Sequence, residues 1–84
     1  MMRQLTVYTR PNCGFCTSAK NYLSNLEIQF SEVNVQEDEV ARQRLLTEGH
    51  RTLPVILAGE EVMYGGWKSL RTMRKEEIIS KLNS

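Results

Sequence analysis

Two cysteines separated by two residues are the chemically most distinctive feature of the sequence. They are Cys13 and Cys16, in the stretch YTRPNCGFCTSAK (residues 8–20), with the uncharged Gly14 and Phe15 between them. A pair at this spacing can be half of a metal site, a structural disulfide, or a redox couple that makes and breaks its own disulfide. The rest of the chain has to distinguish these three kinds of site.

Zinc and a permanent disulfide are the alternatives to redox chemistry. A structural zinc site takes four protein ligands, and the only further soft candidate is His50, which has no second cysteine or histidine near it. A disulfide that closes so short a loop removes little chain entropy, so stability is a weak reason to have one. The pair is therefore predicted to be a redox couple, and no metal site is predicted.

Sequence periodicity places this pair where a strand meets a helix. Residues 4–8 alternate apolar and polar side chains, as in a strand, and apolar residues then recur at helical spacing over residues 14–25. A helix N-terminus carries unpaired N–H groups and about half a positive charge, which stabilise a thiolate. Cys13 is therefore predicted to be the exposed nucleophile, and Cys16 the partly buried thiol that resolves a mixed disulfide.

The remaining chain predicts a small mixed fold. A strand is predicted over residues 29–35, and a second helix over residues 37–48 with Gly49 after its end. A β-hairpin is predicted over residues 54–66 and a last helix over residues 68–82. A helix between the first two strands makes them parallel. The spacing of apolar residues stretches in the last helix, which predicts a kink or late start near Thr72. The order is β-α-β-α-β-β-α, in one domain of residues 1–84.

Composition limits the partners and the compartment. The 84 residues are 40% hydrophobic and 25% charged, as in a globular protein, and the net charge of +1 predicts neither nucleic acid nor an anionic membrane as a partner. The first 20 residues hold no long apolar run, so neither a signal peptide nor a membrane span is predicted. Two cysteines are too few for a secreted disulfide scaffold, which makes a reducing, cytoplasmic location the expectation.

A second motif, Thr52-Leu53-Pro54, directly precedes an apolar run. Proline cannot donate a hydrogen bond to a sheet and belongs at the first residue of a strand, which is the simpler interpretation. The alternative is a cis Leu53–Pro54 bond. That bond leaves the backbone N–H and C=O of Leu53 free to pair with an extended thiol substrate beside Cys13.

Together, YTRPNCGFC after the first strand, TLPVI and YGGW resemble the glutaredoxin family in order and spacing, over essentially the whole chain. The resemblance implies a thioredoxin-like α/β fold with a four-stranded mixed sheet and three helices. It implies thiol–disulfide oxidoreductase activity, with Cys13 as nucleophile, Cys16 as resolving thiol and Pro54 as the cis proline. A monomer without a tightly bound cofactor is expected.

The resemblance also implies a glutathione site. Arg10 stands where the family has a basic residue for the glycine carboxylate of glutathione, although it can equally be a solvated surface charge. Arg42 is the best match to a second basic residue, and backbone atoms of Leu53 would pair with the cysteinyl part. The predicted contacts with glutathione or another substrate are Arg10, Phe15, Arg42, Thr52, Leu53, Pro54, Gly66, Trp67, Lys68 and Ser69.

The sequence departs from the family after the double glycine. Glutaredoxins usually continue with one residue and then acidic residues that hold the γ-glutamyl group, whereas this chain has Trp67, Lys68 and Ser69. An aromatic followed by a basic residue resembles redoxins of the NrdH type, which serve ribonucleotide reductase and are recharged by thioredoxin reductase. Glutathione and thioredoxin reductase are thus both candidate electron donors. Trp67 has three interpretations: core packing, a lid beside the cysteines, or a docking contact.

The Gly-Phe dipeptide is a second departure, since the commonest glutaredoxin pair is Pro-Tyr. Some family members with a small residue there bridge an iron–sulfur cluster between two chains, which is the alternative function to disulfide reduction. With a neutral dipeptide between the thiols, a reduction potential of about −200 to −270 mV is expected.

Overall fold

The computed structural model describes residues 3–50, 52–63 and 65–83. These residues form four strands and four helices: β1 (Leu5–Thr9), α1 (Gly14–Asn25), β2 (Ser31–Asn34), α2 (Glu39–Thr47), β3 (Val55–Ala58), β4 (Glu61–Val62), α3 (Trp67–Leu70) and α4 (Lys75–Leu82). The order predicted from the sequence is confirmed as far as β4. None of the helices in the described ranges is long and apolar enough to cross a membrane.

The four strands form one mixed sheet in the order β2-β1-β3-β4. The pair β1 and β2 is parallel, with α1 as the connection between the two strands, which confirms the predicted βαβ unit. The strand β3 runs antiparallel to β1 and forms the predicted hairpin with β4. Gly59, in the two-residue turn of this hairpin, has a φ of 64°, a backbone conformation that favours glycine.

Each face of the sheet has its own apolar core, because alternate residues of a strand point to opposite faces. On one face Leu5, Val7 and Ile56 pack with buried residues of α1, α3 and α4; on the other, Tyr8, Val55 and Leu57 pack with buried residues of α2. All four residues of β3 are buried, as expected of a central strand covered on both sides. The sheet is therefore covered by α1, α3 and α4 on one face and by α2 on the other.

The C-terminal segment corrects the predicted number of helices from three to four. Helix α3 ends at Leu70, and the backbone N–H and hydroxyl of Thr72 both donate to the Ser69 carbonyl, at 3.1 and 2.8 Å. A new helix then starts where the Glu77 carboxylate accepts from the Arg74 N–H at 3.1 Å, as in a capping box. The expected irregularity near Thr72 is thus a complete break, closed by local hydrogen bonds.

Candidate active site

A disulfide joins Cys13 and Cys16 at the start of α1, with their Cα atoms 5.3 Å apart. Cys13 is the N-cap residue: its backbone is extended, and its Sγ accepts a hydrogen bond from the Cys16 N–H at 3.3 Å. Sulfur thus takes the position in which an oxygen of serine or aspartate usually satisfies a free N–H of the first turn. A thiolate formed at this atom would be stabilised by that N–H group and by the helix dipole.

The two sulfur-bearing residues differ in their access to solvent. Cys13 is half-buried, whereas only 1% of Cys16 is exposed. Asn12 turns the chain from the strand into the helix with a φ of 60°, a conformation that asparagine tolerates better than most residues. A disulfide partner can therefore reach Cys13 directly, while Cys16 is reached only from within the protein.

The loop before β3 lies against the disulfide. The Leu53–Pro54 peptide bond is cis, and the strand begins at Val55, so the second interpretation of the Thr-Leu-Pro motif is the correct one. The Leu53 carbonyl oxygen lies 4.0 Å from the Cys13 Sγ. Among the described residues, no other backbone group bonds to the Leu53 backbone, which leaves its N–H and C=O for a ligand.

The double glycine fits closely behind this proline. Gly66 has a φ of 53°, and an added Cβ would lie 2.7 Å from the Pro54 carbonyl oxygen. At Gly65, with a φ of 91°, an added Cβ would collide with the Ser69 hydroxyl. Glycine at both positions lets α3 start directly against the cis-proline loop, so the motif supports the site from behind.

A groove of about 320 Å³ lies between α2 and the loop that carries Leu53. It brings four predicted contact residues together, namely Arg10, Arg42, Thr52 and Leu53, although they are far apart in the sequence. The other lining residues, which sequence reasoning did not select, are Val35, Gln36, Leu45, Leu46 and His50. The groove is therefore the place where a ligand attached to Cys13 would meet both arginines.

The remaining predicted contacts lie elsewhere. Trp67 is half-buried and packs on the core, with its ring edge-on to that of Tyr22 at a centroid distance of 5.7 Å, which favours the packing interpretation. Lys68 is exposed and Ser69 half-buried, and neither of them lines the groove. Phe15, between the two bonded cysteines, is 60% exposed.

An ion pair behind the site was not predicted from the sequence. The Glu32 carboxylate accepts a hydrogen bond from the Thr9 hydroxyl at 2.7 Å and pairs with the Lys20 ammonium at 3.0 Å. Both interactions favour the charged form, Thr9 most, and hold the pKa of the Glu32 carboxyl below its ordinary value. Because Thr9 ends β1 and Lys20 lies one turn beyond Cys16, the carboxylate ties the sheet to the cysteine-bearing helix.

Comparison with known proteins agrees with this geometry. The glutaredoxin family model matches residues 5–63. The glutaredoxin-like protein NrdH of Escherichia coli (strain K12) is 35% identical over 57 residues, covering 68% of this chain and 70% of the relative. Glutaredoxin 1 of Rickettsia bellii is 28% identical over 87 residues, covering 98% and 88%. The solved structure of the Escherichia coli NrdH-redoxin superimposes with a TM-score of 0.73 at 29% identity, over 84% of this chain and 95% of that one.

Proposed function

The chain belongs to the glutaredoxin family, and from this premise we propose that it is a redoxin of the NrdH type, a dithiol that reduces protein disulfides and is recharged by thioredoxin reductase. The thiol–disulfide oxidoreductase activity itself follows from the family and the cysteine pair. The observation that carries the proposed disulfide reduction is the Cys13–Cys16 disulfide at the start of α1, beside the cis proline, whereas the choice of electron donor rests on the two observations given below.

The proposed reaction uses only thiols and disulfides. The Cys13 thiolate attacks one sulfur of the substrate disulfide, so that a mixed disulfide forms and the first substrate thiolate leaves. The Cys16 thiolate then attacks the Cys13 sulfur, which releases the second substrate thiolate and forms the Cys13–Cys16 disulfide. Two electrons have moved to the substrate, and the two released thiolates take up protons. The electron donor returns the protein to the dithiol.

Two observations support thioredoxin reductase as the donor. Lys68 occupies the position where an acid would hold the γ-glutamyl group of glutathione, and its exposed ammonium would repel the α-ammonium of that group. The Escherichia coli relative, at 29% identity to this chain, is described as having a thioredoxin-like activity profile. Glutathione is the second candidate, because the groove brings Arg10 and Arg42 to the Leu53 backbone, where a carboxylate could bind.

A comparison of electron donors tests the choice between these two. The oxidised protein is reduced either by NADPH with thioredoxin reductase or by glutathione with NADPH and glutathione reductase, and NADPH oxidation is followed with insulin as the final acceptor. We expect the first system to be at least about tenfold faster, a difference of about 1.4 kcal/mol in activation free energy. Equal or faster turnover with glutathione would overturn the proposed donor. The Cys13→Ser variant gives the background rate in both systems.

The remaining properties are part of the same proposal. We expect a monomer without a tightly bound cofactor, acting in a reducing compartment such as the cytoplasm, with ribonucleotide reductase as a protein substrate. Iron and zinc analysis with size-exclusion chromatography tests the first part. A colourless, metal-free monomer is expected, and a brown dimer that depends on glutathione would contradict it and favour the iron–sulfur alternative.

A further inference from the structure

The groove beside the disulfide has an apolar floor that the proposed reaction leaves unused. Val35 and Leu45 are buried beneath it, and Leu53 is half-buried at the end nearest Cys13. The exposed side chain of Leu46, at 63% exposure, also lines it. An apolar groove with one exposed leucine can bind a large apolar side chain of a ligand.

One strongly exposed apolar side chain lies between the bonded cysteines, and another lines the groove. In the described part of the chain, three large hydrophobic residues are strongly exposed: Phe15, Val40 and Leu46. Phe15 lies between the two bonded cysteines and Leu46 lines the groove, so two of the three flank the site. Val40, on the same helix as Leu46, lies outside the groove. Apolar surface that clusters beside a reactive group marks a contact surface better than isolated exposed residues do.

The charges around the groove favour an acidic partner. Arg10 and Arg42 both line it and are exposed, and none of its described lining residues is a carboxylate. Two lining residues pair with acids outside the groove: the exposed Arg42 lies 3.6 Å from the exposed Glu39, and the half-buried His50 lies 3.4 Å from Glu48. An exposed pair such as Glu39–Arg42 contributes little to stability, so a bound carboxylate can compete for the Arg42 guanidinium group.

The position of the groove fixes which part of a substrate enters it. Leu53 lines the groove, and its carbonyl oxygen lies 4.0 Å from the Cys13 Sγ. An extended chain advances about 3.3–3.6 Å per residue, so the residues next to a cysteine bonded to Cys13 would reach the groove. Glutathione carries glycine beside its cysteine, and glycine has no side chain to cover the apolar floor.

From these features we infer that the groove and Leu46 bind the extended segment flanking the reactive cysteine of a protein substrate, and select one with a large apolar side chain followed by an acidic one. This selectivity rests on the proposed disulfide reduction and names its substrate class. Leu46 is a specificity-determining residue in this account, and Arg42 supplies the preference for the acidic neighbour.

Peptide disulfides test this selectivity. Four symmetric peptide dimers of equal length carry either Leu or Gly on both sides of a single cysteine, and either Asp or Lys beyond those. The reduced protein converts each dimer to two peptide thiols while forming its own disulfide, and the single-turnover rate is measured with glutathione disulfide as a fifth substrate. We expect the Leu–Asp dimer to react about tenfold faster than the Gly–Lys dimer, and faster than glutathione disulfide.

Two matched pairs of variants assign the selectivity to residues. Leu46→Gln should reduce the preference for Leu over Gly about fivefold, whereas Val40→Gln, also on an exposed position of α2, should leave it unchanged. Arg42→Gln should reduce the preference for Asp over Lys about two- to fivefold, whereas Arg44→Gln should not, because Arg44 lies outside the groove. All four substituted side chains are exposed, so the fold is not at risk.

The outcomes separate this inference from the proposed function. Equal rates for the four dimers, a faster reaction with glutathione disulfide, or equal effects of the matched variants would overturn the inferred selectivity. Bis(2-hydroxyethyl) disulfide, which is small and uncharged, tests reduction itself. If the wild-type protein reduces it while the dimers show no preference, only the selectivity is wrong. If the protein reduces neither, the proposed function is wrong as well.

Discussion

Helices α1 and α2 begin with the same backbone arrangement and different capping atoms. Cys13 has φ −108° and ψ 106°, and its sulfur accepts from the N–H three residues on at 3.3 Å. Asp38 has φ −114° and ψ 98°, and its carboxylate accepts from the corresponding N–H of Ala41 at 3.0 Å. An aspartate cap stabilises its helix and does no chemistry. A cysteine at the same position is held where a helix N-terminus favours its thiolate.

The surroundings of the two caps explain why only one is a reaction site. Asp38 is an exposed residue on a connecting turn, and its helix begins with a further acid, Glu39. The first turn of α1 holds no acidic residue, and the cis-proline loop places a backbone carbonyl 4.0 Å from the Cys13 sulfur. The two caps share one backbone arrangement. The α1 cap differs in that its capping atom is sulfur and the cis-proline loop lies beside it, and these two differences make it a redox site.

Replacement of the two capping residues by serine should give the largest contrast. Serine is a good N-cap, so both Cys13→Ser and Asp38→Ser should fold with little change in the free energy of unfolding. We expect Cys13→Ser to abolish disulfide reduction, because the proposed nucleophile is lost and the remaining thiol of Cys16 is buried, and Asp38→Ser to keep at least half of it. Reduction of insulin by each variant measures this. Substantial activity in Cys13→Ser would mean that Cys16, or another route, starts the reaction.

The next largest effect is expected at the start of α3. The N-cap residue of this helix is a glycine, Gly66, which offers no capping side chain. In Gly66→Ala the new Cβ meets the Pro54 carbonyl oxygen, and φ of 53° is unfavourable for alanine. We expect a loss of about 1–3 kcal/mol in the free energy of urea unfolding and slower disulfide reduction.

Gly14→Ala is the matched control for this substitution, since its added Cβ meets nothing within 4 Å. It should be neutral or stabilise the protein by up to about 1 kcal/mol, because alanine is the better helix former. If both alanine variants have the same free energy of unfolding, the close fit of Gly66 behind the cis proline does not contribute to stability.

Removal of the aspartate cap should affect stability alone. Asp38→Ala leaves the Ala41 N–H without its partner, and we expect the free energy of unfolding to fall by about 1 kcal/mol. The rate of disulfide reduction should stay within twofold of wild type under conditions where both proteins are folded. A larger loss of rate would show that the N-terminus of α2, which lies outside the groove, also supports the reaction.

The smallest effect concerns Glu32, whose carboxylate connects Thr9 at the end of β1 to Lys20 in the cysteine-bearing helix α1. Its pKa is lowered by the Thr9 and Lys20 interactions, so it stabilises the folded protein above the ordinary value of 4.5, and this stabilisation is lost as pH falls through the lower, folded pKa. Because the carboxylate is partly exposed, we expect Glu32→Gln to cost less than about 1 kcal/mol at pH 7. At pH 3 the difference should shrink; urea unfolding at both values measures it. An equal cost at both values would mean that charge plays no part.

The sequence predicted those features that depend on local spacing. The predicted helix over residues 14–25 matches Gly14–Asn25, because the helical spacing of its apolar residues extends over this range. The break after Leu70 is more complete than the predicted kink or late start. The hydrogen bonds of Thr72 and Arg74 that close it are local alternatives to a continuous helix, and the apolar spacing does not reveal them.

Features that depend on distant residues could not be read from the sequence. The groove exists only because α2 and the loop at Leu53 lie side by side in the fold, and nothing in the local pattern marks Leu46 as a lining residue. Likewise, Thr9 and Lys20 reach Glu32 from separate elements. Family resemblance supplied Arg10 and Arg42 as candidates, and the fold shows that they share one groove.

Selective alkylation of the reduced protein tests the central claim that the cap of α1 is the nucleophile. Substoichiometric iodoacetamide is added to the dithiol at pH 7, and the modified cysteine is identified by mass spectrometry of proteolytic peptides. Because Cys13 is half-buried at the helix start and Cys16 is 1% exposed, we expect modification almost entirely at Cys13. Equal modification of both cysteines, or preference for Cys16, would contradict the account.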